Sequence, residues 1–211
     1  MNIVLFGKPG VGKGTQAPRI ADALGVPTLA TGNVLRAAVR EKTTLGLQAK
    51  AFMDRGDLVP DSVILGIMRE ELQQPFYSKG VVLDGVVRTV PQAEGLAETL
   101  HSLGRKVEAV VVLEVPDEEI VRRMSSRTVC SNCQTPYSDR KPGDACDNCG
   151  GTLVRRSHDE PEAVRNRLRV FAEQTAPVLA WYDRNGVRMA VVNAAGKVEE
   201  VTQRVLHALG K

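Results

Sequence analysis

Four cysteines stand in two pairs, Cys130-Ser-Asn-Cys133 and Cys146-Asp-Asn-Cys149, with 12 residues between them. Two such knuckles can bring four thiolates around one Zn2+. A tetrahedral ion with four protein ligands keeps no position open for water, so the chemistry expected of Cys130, Cys133, Cys146 and Cys149 is structural rather than catalytic. Iron on the same four sulfurs is the alternative, and disulfides are disfavoured in a cytoplasmic chain. A second constellation, Gly7-Lys8-Pro9-Gly10-Val11-Gly12-Lys13-Gly14-Thr15, follows the apolar run Asn2-Ile3-Val4-Leu5-Phe6 and opens a helix expected from near Thr15. It fits G-x-x-x-x-G-K, except that Gly14 stands where Ser or Thr is usual and the hydroxyl comes one residue later. Glycines there let consecutive backbone N–H groups turn inward on an anion. The helix N-terminus adds partial positive charge, and Lys13 can reach the β- and γ-phosphates of a nucleoside triphosphate. Asp84 closes another apolar run, Val81-Val82-Leu83, where a carboxylate without a partner would be costly; Mg2+ with its waters would supply one. Of the 28 basic residues 19 are Arg, the side chain that grips phosphate through two parallel hydrogen bonds.

The elements that must position these groups are legible as alternation. Short apolar runs at Asn2–Phe6, Pro27–Leu29, Val81–Asp84, Ala109–Leu113 and Arg188–Val192 are separated by stretches of helical spacing. That rhythm predicts an α/β fold, a parallel five-stranded sheet flanked by helices. Residues 30–59 hold only helical patterns (Thr31 to Arg40, Leu45 to Arg55) and read as a helical insertion. Residues 126–163 hold all four cysteines, with turn signals and little periodicity, and read as a second insertion that needs a staple. The core is then 1–29, 60–125 and 164–211, closed by an amphipathic helix from Val198 to Leu209. A net charge of +3 and 25% charged residues in 211 exclude disorder and give no reason to expect nucleic acid. No run approaches the ~20 apolar residues that span a bilayer, and no cleavage site follows the first strand, so a cytoplasmic protein without a membrane partner is expected.

The narrower form G-x-P-G-x-G-K-G-T-Q resembles the adenylate kinase family, and the resemblance extends along the chain. Leu29-Ala30-Thr31-Gly32-Asn33-Val34-Leu35-Arg36 and Gly56-Asp57-Leu58-Val59-Pro60-Asp61 are similar to the two ends of that family's monophosphate-binding insertion. Leu83-Asp84-Gly85-Val86-Val87-Arg88-Thr89 with Gln92 is similar to its D-G-F-P-R-T segment and the glutamine that follows, and Arg123, Arg127, Arg156 and Arg167 match the arginines around its lid. The resemblance implies a P-loop nucleoside triphosphate hydrolase-like fold and a monomer that converts ATP and AMP to two ADP with Mg2+, under a lid stapled by Zn2+. It implies that ATP is held by Gly10, Val11, Gly12, Lys13, Gly14, Thr15, Arg123, Arg127, Pro136, Tyr137 and Gly196. It gives AMP to Thr31, Arg36, Asp57, Leu58, Val59, Gly85, Arg88, Gln92, Arg156 and Arg167, with Gln92 reading the base. Catalysis falls to Lys13, Asp84, Arg88, Arg123, Arg156 and Arg167, which align the phosphates and neutralise their charge.

Three places depart from the family pattern. Asn33 stands where Asp is usual, Val86-Val87 replace Phe-Pro, and Ser157-His158-Asp159 replaces a segment with two adjacent acids. Without the proline, the turn presenting Arg88 is expected to be freer. Two rival functions accompany the main one. One is a kinase for UMP, CMP or GMP. The other is a nucleotide-switched zinc ribbon that binds another macromolecule, against which stands the scarcity of basic and aromatic residues between Cys130 and Gly151, only Arg140, Lys141 and Tyr137.

Overall fold

The structure, a computed structural model, describes residues 1–138, 140–155, 159 and 161–211. The first half of the chain runs β1 (Asn2–Phe6), α1 (Lys13–Leu24), β2 (Thr28–Leu29), α2 (Thr31–Arg40), α3 (Thr44–Arg55), α4 (Asp61–Leu72), β3 (Val81–Asp84), α5 (Val90–Ser102) and β4 (Ala109–Glu114). It continues through α6 (Asp117–Ser126), β5 (Thr128–Cys130), β6 (Pro136–Tyr137), β7 (Leu153–Val154), α7 (Pro161–Val170), a π-helical turn (Phe171–Thr175), α8 (Pro177–Arg184), β8 (Arg188–Asn193) and α9 (Val198–Ala208). No helix among the described residues is long and apolar enough to cross a membrane.

Five strands form one parallel sheet in the order β2-β3-β1-β4-β8. Its central strands are apolar except at their ends, Asn2, Asp84 and Glu114, because both faces are covered. Ile3 and Leu5 of β1 pack with Ile20 of α1 and Val201 and Val205 of α9, whereas Val4 and Phe6 pack with Met68 of α4, Leu96 of α5 and Tyr182 of α8. Each such side chain contributes about 1.5–3 kcal/mol on burial, so this double layer is the rigid part of the molecule. Its register places Asp84 opposite Leu5. The phosphate loop, which starts at Gly7, therefore begins beside that carboxylate, at the carboxyl ends of the central strands where open α/β sheets bind ligands.

The loop allows no side chain at its first residue. A Cβ on Gly7 would lie 2.5 Å from the Leu113 carbonyl oxygen, and its φ is +139°. Helix α1 starts at Lys13 rather than near Thr15, because Gly12, with φ 111° and ψ 11°, is the residue at which the chain turns into the helix.

Helices α2 and α3 pack on each other as a hairpin. Thr43 caps α3 by accepting the Gly46 backbone N–H at 3.1 Å. In the stretch expected to lack periodicity, β5 pairs antiparallel with β6 and β7. The apolar cluster there consists of Cys130, Cys146 and Leu153 with Tyr137 against them. Val86 and Val87 are buried in the main core, at 0% and 3% exposure, so packing holds the turn before Arg88. The expectation of a freer turn is corrected.

Candidate active site

A cleft of about 910 Å3 opens at the carboxyl ends of the sheet, bounded by the phosphate loop, α2, the start of α4, Tyr137 of β6 and Arg167 of α7. It gathers the expected triphosphate residues Gly10, Val11, Gly12, Lys13, Gly14, Thr15, Arg123, Arg127, Pro136, Tyr137 and Gly196. It also gathers the expected monophosphate residues Thr31, Arg36, Asp57, Leu58, Val59, Gly85, Arg88, Gln92 and Arg167, with Asp84 between the two sets. Arg156, Ser157 and His158 lie outside the described residues.

Lys13 is folded back over its own loop, donating from Nζ to the carbonyls of Gly7 (2.6 Å) and Lys8 (3.1 Å). Burial is the main cause that pushes its pKa from 10.5 down to about 8; Asp84 opposes the shift, and Arg88, Arg167 and Arg127 add to it. Burial likewise moves Arg36 down to about 10, and Arg88 is lowered by the same cause. Five cations therefore gather near Asp84, two of them, Arg127 and Arg167, paired with a second carboxylate, Asp159. Such a cluster favours an anion of several charges among its members. Arg36 carries a further sign of this: its Nε is buried without a hydrogen-bond partner, while its terminal nitrogen donates to Asn33 Oδ1. Gly14, the departure from Ser or Thr in the loop, also has a reason here. A Cβ on it would stand 3.3 Å from Asp84 Oδ2, tighter than ordinary contact, so the small residue lets α1 approach the carboxylate.

The arginines are not equivalent. Arg123 uses each of its three nitrogens once, with Nε on Glu119 at 2.7 Å and its terminal nitrogens on the carbonyls of Val11 (3.0 Å) and Ala194 (3.1 Å), which leaves one N–H on each terminal nitrogen. It braces the phosphate loop against the end of β8. Arg127 and Arg167 meet on Asp159, whose side chain is 6% exposed, through Arg127 Nε at 2.7 Å and Arg167 Nη1 at 3.2 Å. This carboxylate joins the end of α6 to α7. Arg36 lies within α2, and Arg88 Nε donates to the Gly85 carbonyl at 3.1 Å.

Residues to which the sequence reading assigned no role complete the site. Asn166 of α7 donates through Nδ2 to the Arg55 carbonyl and to Asp57 Oδ1, both at 2.8 Å. Arg55 and Asn166 in turn hold the Asp57 carboxyl below the usual carboxylate range. Gly56 permits the approach, because a Cβ there would lie 2.7 Å from Arg167 Cγ and 2.8 Å from the Ala163 carbonyl. No spacing rule signals a contact between residues more than 100 apart. Asp61 was quoted in the Gly56–Asp61 segment, yet its partners Thr89 and Gln92 come from another element.

The four cysteine sulfurs lie within 4.8 Å of one another, Cys130 and Cys146 buried, Cys133 and Cys149 exposed. Cys130 and Cys149 are 3.4 Å apart and Cys133 and Cys146 3.6 Å, far from the ~2.05 Å of a disulfide and near the ~3.8 Å edge of a tetrahedron with 2.3 Å metal–sulfur bonds. The donor set suits a soft or borderline metal ion. Tyr137 lines the cleft but is tethered to this cluster, its hydroxyl 3.3 Å from Cys146 Sγ and accepting the Asp147 N–H at 3.0 Å.

A family profile described as Adenylate kinase matches residues 5–187. Among curated proteins, an adenylate kinase of Gemmatimonas aurantiaca is 58% identical, with 99% of each chain covered. One of Methanosarcina barkeri is 44% identical over all of this chain and 99% of its own. One of Geobacter sp. strain M21 is 45% identical over 99% of both.

Proposed function

The chain belongs to the adenylate kinase family, and from that premise we propose which of its residues carry the reversible reaction of ATP with AMP to give two ADP. An oxygen of the AMP phosphate attacks the γ-phosphorus in line. The bond from that phosphorus to the β,γ-bridging oxygen breaks, and ADP leaves on one side as the other ADP forms. The AMP oxygen is already anionic, so no base is required, and the protein's work is alignment and charge neutralisation. The observation that carries the assignment is the convergence of Lys13, Arg36, Arg88, Arg127 and Arg167 around Asp84.

Lys13 and the loop N–H groups hold the β- and γ-phosphates, Arg36 and Arg88 hold the AMP phosphate, and Arg127 and Arg167 span the transferring group. Arg156 is assigned with them by family position. Arg123 acts at the donor side while bracing Val11, Tyr137 with Pro136 and Gly196 flank the donor nucleotide, and Gln92, Thr31, Gly85 and residues 57–59 receive the acceptor. Asp84 and Thr15 would hold Mg2+, a hard cation suited to carboxylate, hydroxyl and water oxygens; when bound, it neutralises phosphate charge. Zn2+ on the four cysteines would staple the lid without entering the reaction.

The working division is a core of 1–29, 60–125 and 164–211, a monophosphate insertion of 30–59 and a lid of 126–163. Every residue these roles need is in one chain, which supports a monomer, and thiols arranged for a metal support a cytoplasmic setting. A nucleic-acid-binding ribbon is not favoured, since Arg140 is taken by Asp144 and Asp147. A coupled assay with ATP and AMP, set against UMP, CMP and GMP, tests the assignment; turnover with AMP alone is expected.

A further inference from the structure

Gln92 reaches the cleft from the first turn of α5, yet it is 1% exposed and both ends of its amide are held. Oε1 accepts the Arg88 backbone N–H at 2.8 Å, and Nε2 donates to Asp61 Oδ1 at 2.8 Å. The same Asp61 oxygen accepts the Thr89 hydroxyl at 3.0 Å, and that hydroxyl accepts the Gln92 backbone N–H at 3.2 Å. A backbone N–H can only donate, and a carboxylate oxygen without a proton can only accept. Turning the amide over would set N–H against N–H at one end and carbonyl against carboxylate at the other. Its orientation is therefore decided by the protein before any base arrives. What is left for a ligand is the second Nε2 hydrogen and the second lone pair of Oε1, in a known order.

That order discriminates between purines. Adenine presents a bare N1, an acceptor, beside an N6 amino donor; a 6-oxopurine presents an N1–H donor beside an O6 acceptor. A rotatable amide would serve either by flipping, whereas a fixed one matches adenine and opposes the other. We propose that Asp61, which does not itself line the cleft, is a positioning residue for base selectivity, anchoring Gln92 so that the acceptor site takes AMP and rejects 6-oxopurine monophosphates. This rests on the reading of Gln92 as the base contact.

The test is kcat and KM for AMP and for IMP in the parent, Asp61→Ala, Asp61→Asn and Gln92→Leu, with KM for ATP as internal control. Asp61→Ala should narrow the AMP-to-IMP ratio of kcat/KM about tenfold, the worth of one buried hydrogen bond, through KM rather than kcat. Asp61→Asn offers Gln92 either a carbonyl or an N–H, so it should narrow the ratio by a smaller factor, and it supplies the measurement if the alanine variant does not fold. An unchanged ratio in the Asp61 variants, with a lost ratio in Gln92→Leu, overturns the inference and leaves Gln92 at the base. An unchanged ratio in Gln92→Leu overturns the reading of Gln92 and the inference with it.

Discussion

Two clusters of like groups, five cations near Asp84 in the cleft and four thiols behind Tyr137, are held in opposite ways. Lys13 and Arg36 stand on helices, and Arg88 on a loop, that bury apolar side chains against the main sheet, while Arg127 at the end of α6 and Arg167 on α7 are carried by helices that pack on each other through Ile120, Met124 and Val164, so the scaffold tolerates their mutual repulsion. The thiols stand at the end of one short strand, β5, and in the turns that follow it, and the apolar cluster there consists of Cys130, Cys146 and Leu153 with Tyr137 packed on it. There the ligands are themselves the core. The lesson is that a charge site on a packed scaffold can exist before its ligand, whereas a small module with too little to bury is expected to need a bound ion for its fold.

The largest test of this contrast is Lys13→Ala. Turnover should fall about 10²–10³-fold, as for loss of one group that stabilises transition-state charge, while the melting midpoint stays near the parent's. Activity within a few-fold of the parent would remove Lys13 from the reaction.

The reverse pattern is expected at the cysteines. Cys130→Ser, or removal of the metal by a chelator, should lower the melting midpoint, by about 2–4 °C for each kcal/mol lost in a chain of this size, and metal analysis of the parent should find about one Zn2+ per chain. An unchanged transition after verified metal loss would break the comparison.

The pKa of Lys13 supplies a third prediction. Its folded value of about 8 lies below the ordinary 10.5, so between these values the unfolded chain binds the extra proton and this group makes stability rise with pH. A bound phosphate favours the charged form, so ATP affinity should be full below pH 8 and decline above it. Calorimetric titration across pH 7–9.5 on parent and Lys13→Met checks this, the variant losing the dependence.

A smaller effect is expected at the clasp between α7 and the end of α3. Asn166→Ala removes two hydrogen bonds, each worth about 0.5–1.5 kcal/mol where solvent does not replace it, and should raise KM for AMP several-fold more than KM for ATP. Equal changes in both would deny it a role on the acceptor side.

The smallest is Tyr182→Phe, within about 0.5 kcal/mol of the parent by denaturant unfolding. The Tyr182 hydroxyl is buried without a partner and its pKa is raised by burial, so nothing is lost with it; a large destabilisation would mean that the hydroxyl is satisfied after all.

The strand runs, the phosphate loop and the paired cysteines were legible in the amino-acid order because each depends on neighbours within about ten residues. Apolar runs of five mark strands covered on both faces, the loop glycines precede a helix directly, and each knuckle spans four residues. The sequence alone therefore determined the sheet, the glycine loop at its carboxyl edge and the gathering of the four cysteines. What only the tertiary structure decided is which groups those local pieces meet. Val86 and Val87 appear in sequence as a softened turn but are buried against the core, because packing rather than proline holds that loop. Arg123 reads in sequence as a phosphate ligand, and only the fold shows that it also braces the carbonyls of Val11 and Ala194. Asp61, Glu119 and Asn166 have no pattern to announce them, since hydrogen bonds across elements depend on the angle and depth at which two surfaces pack, and those arise only when the whole chain has found its core.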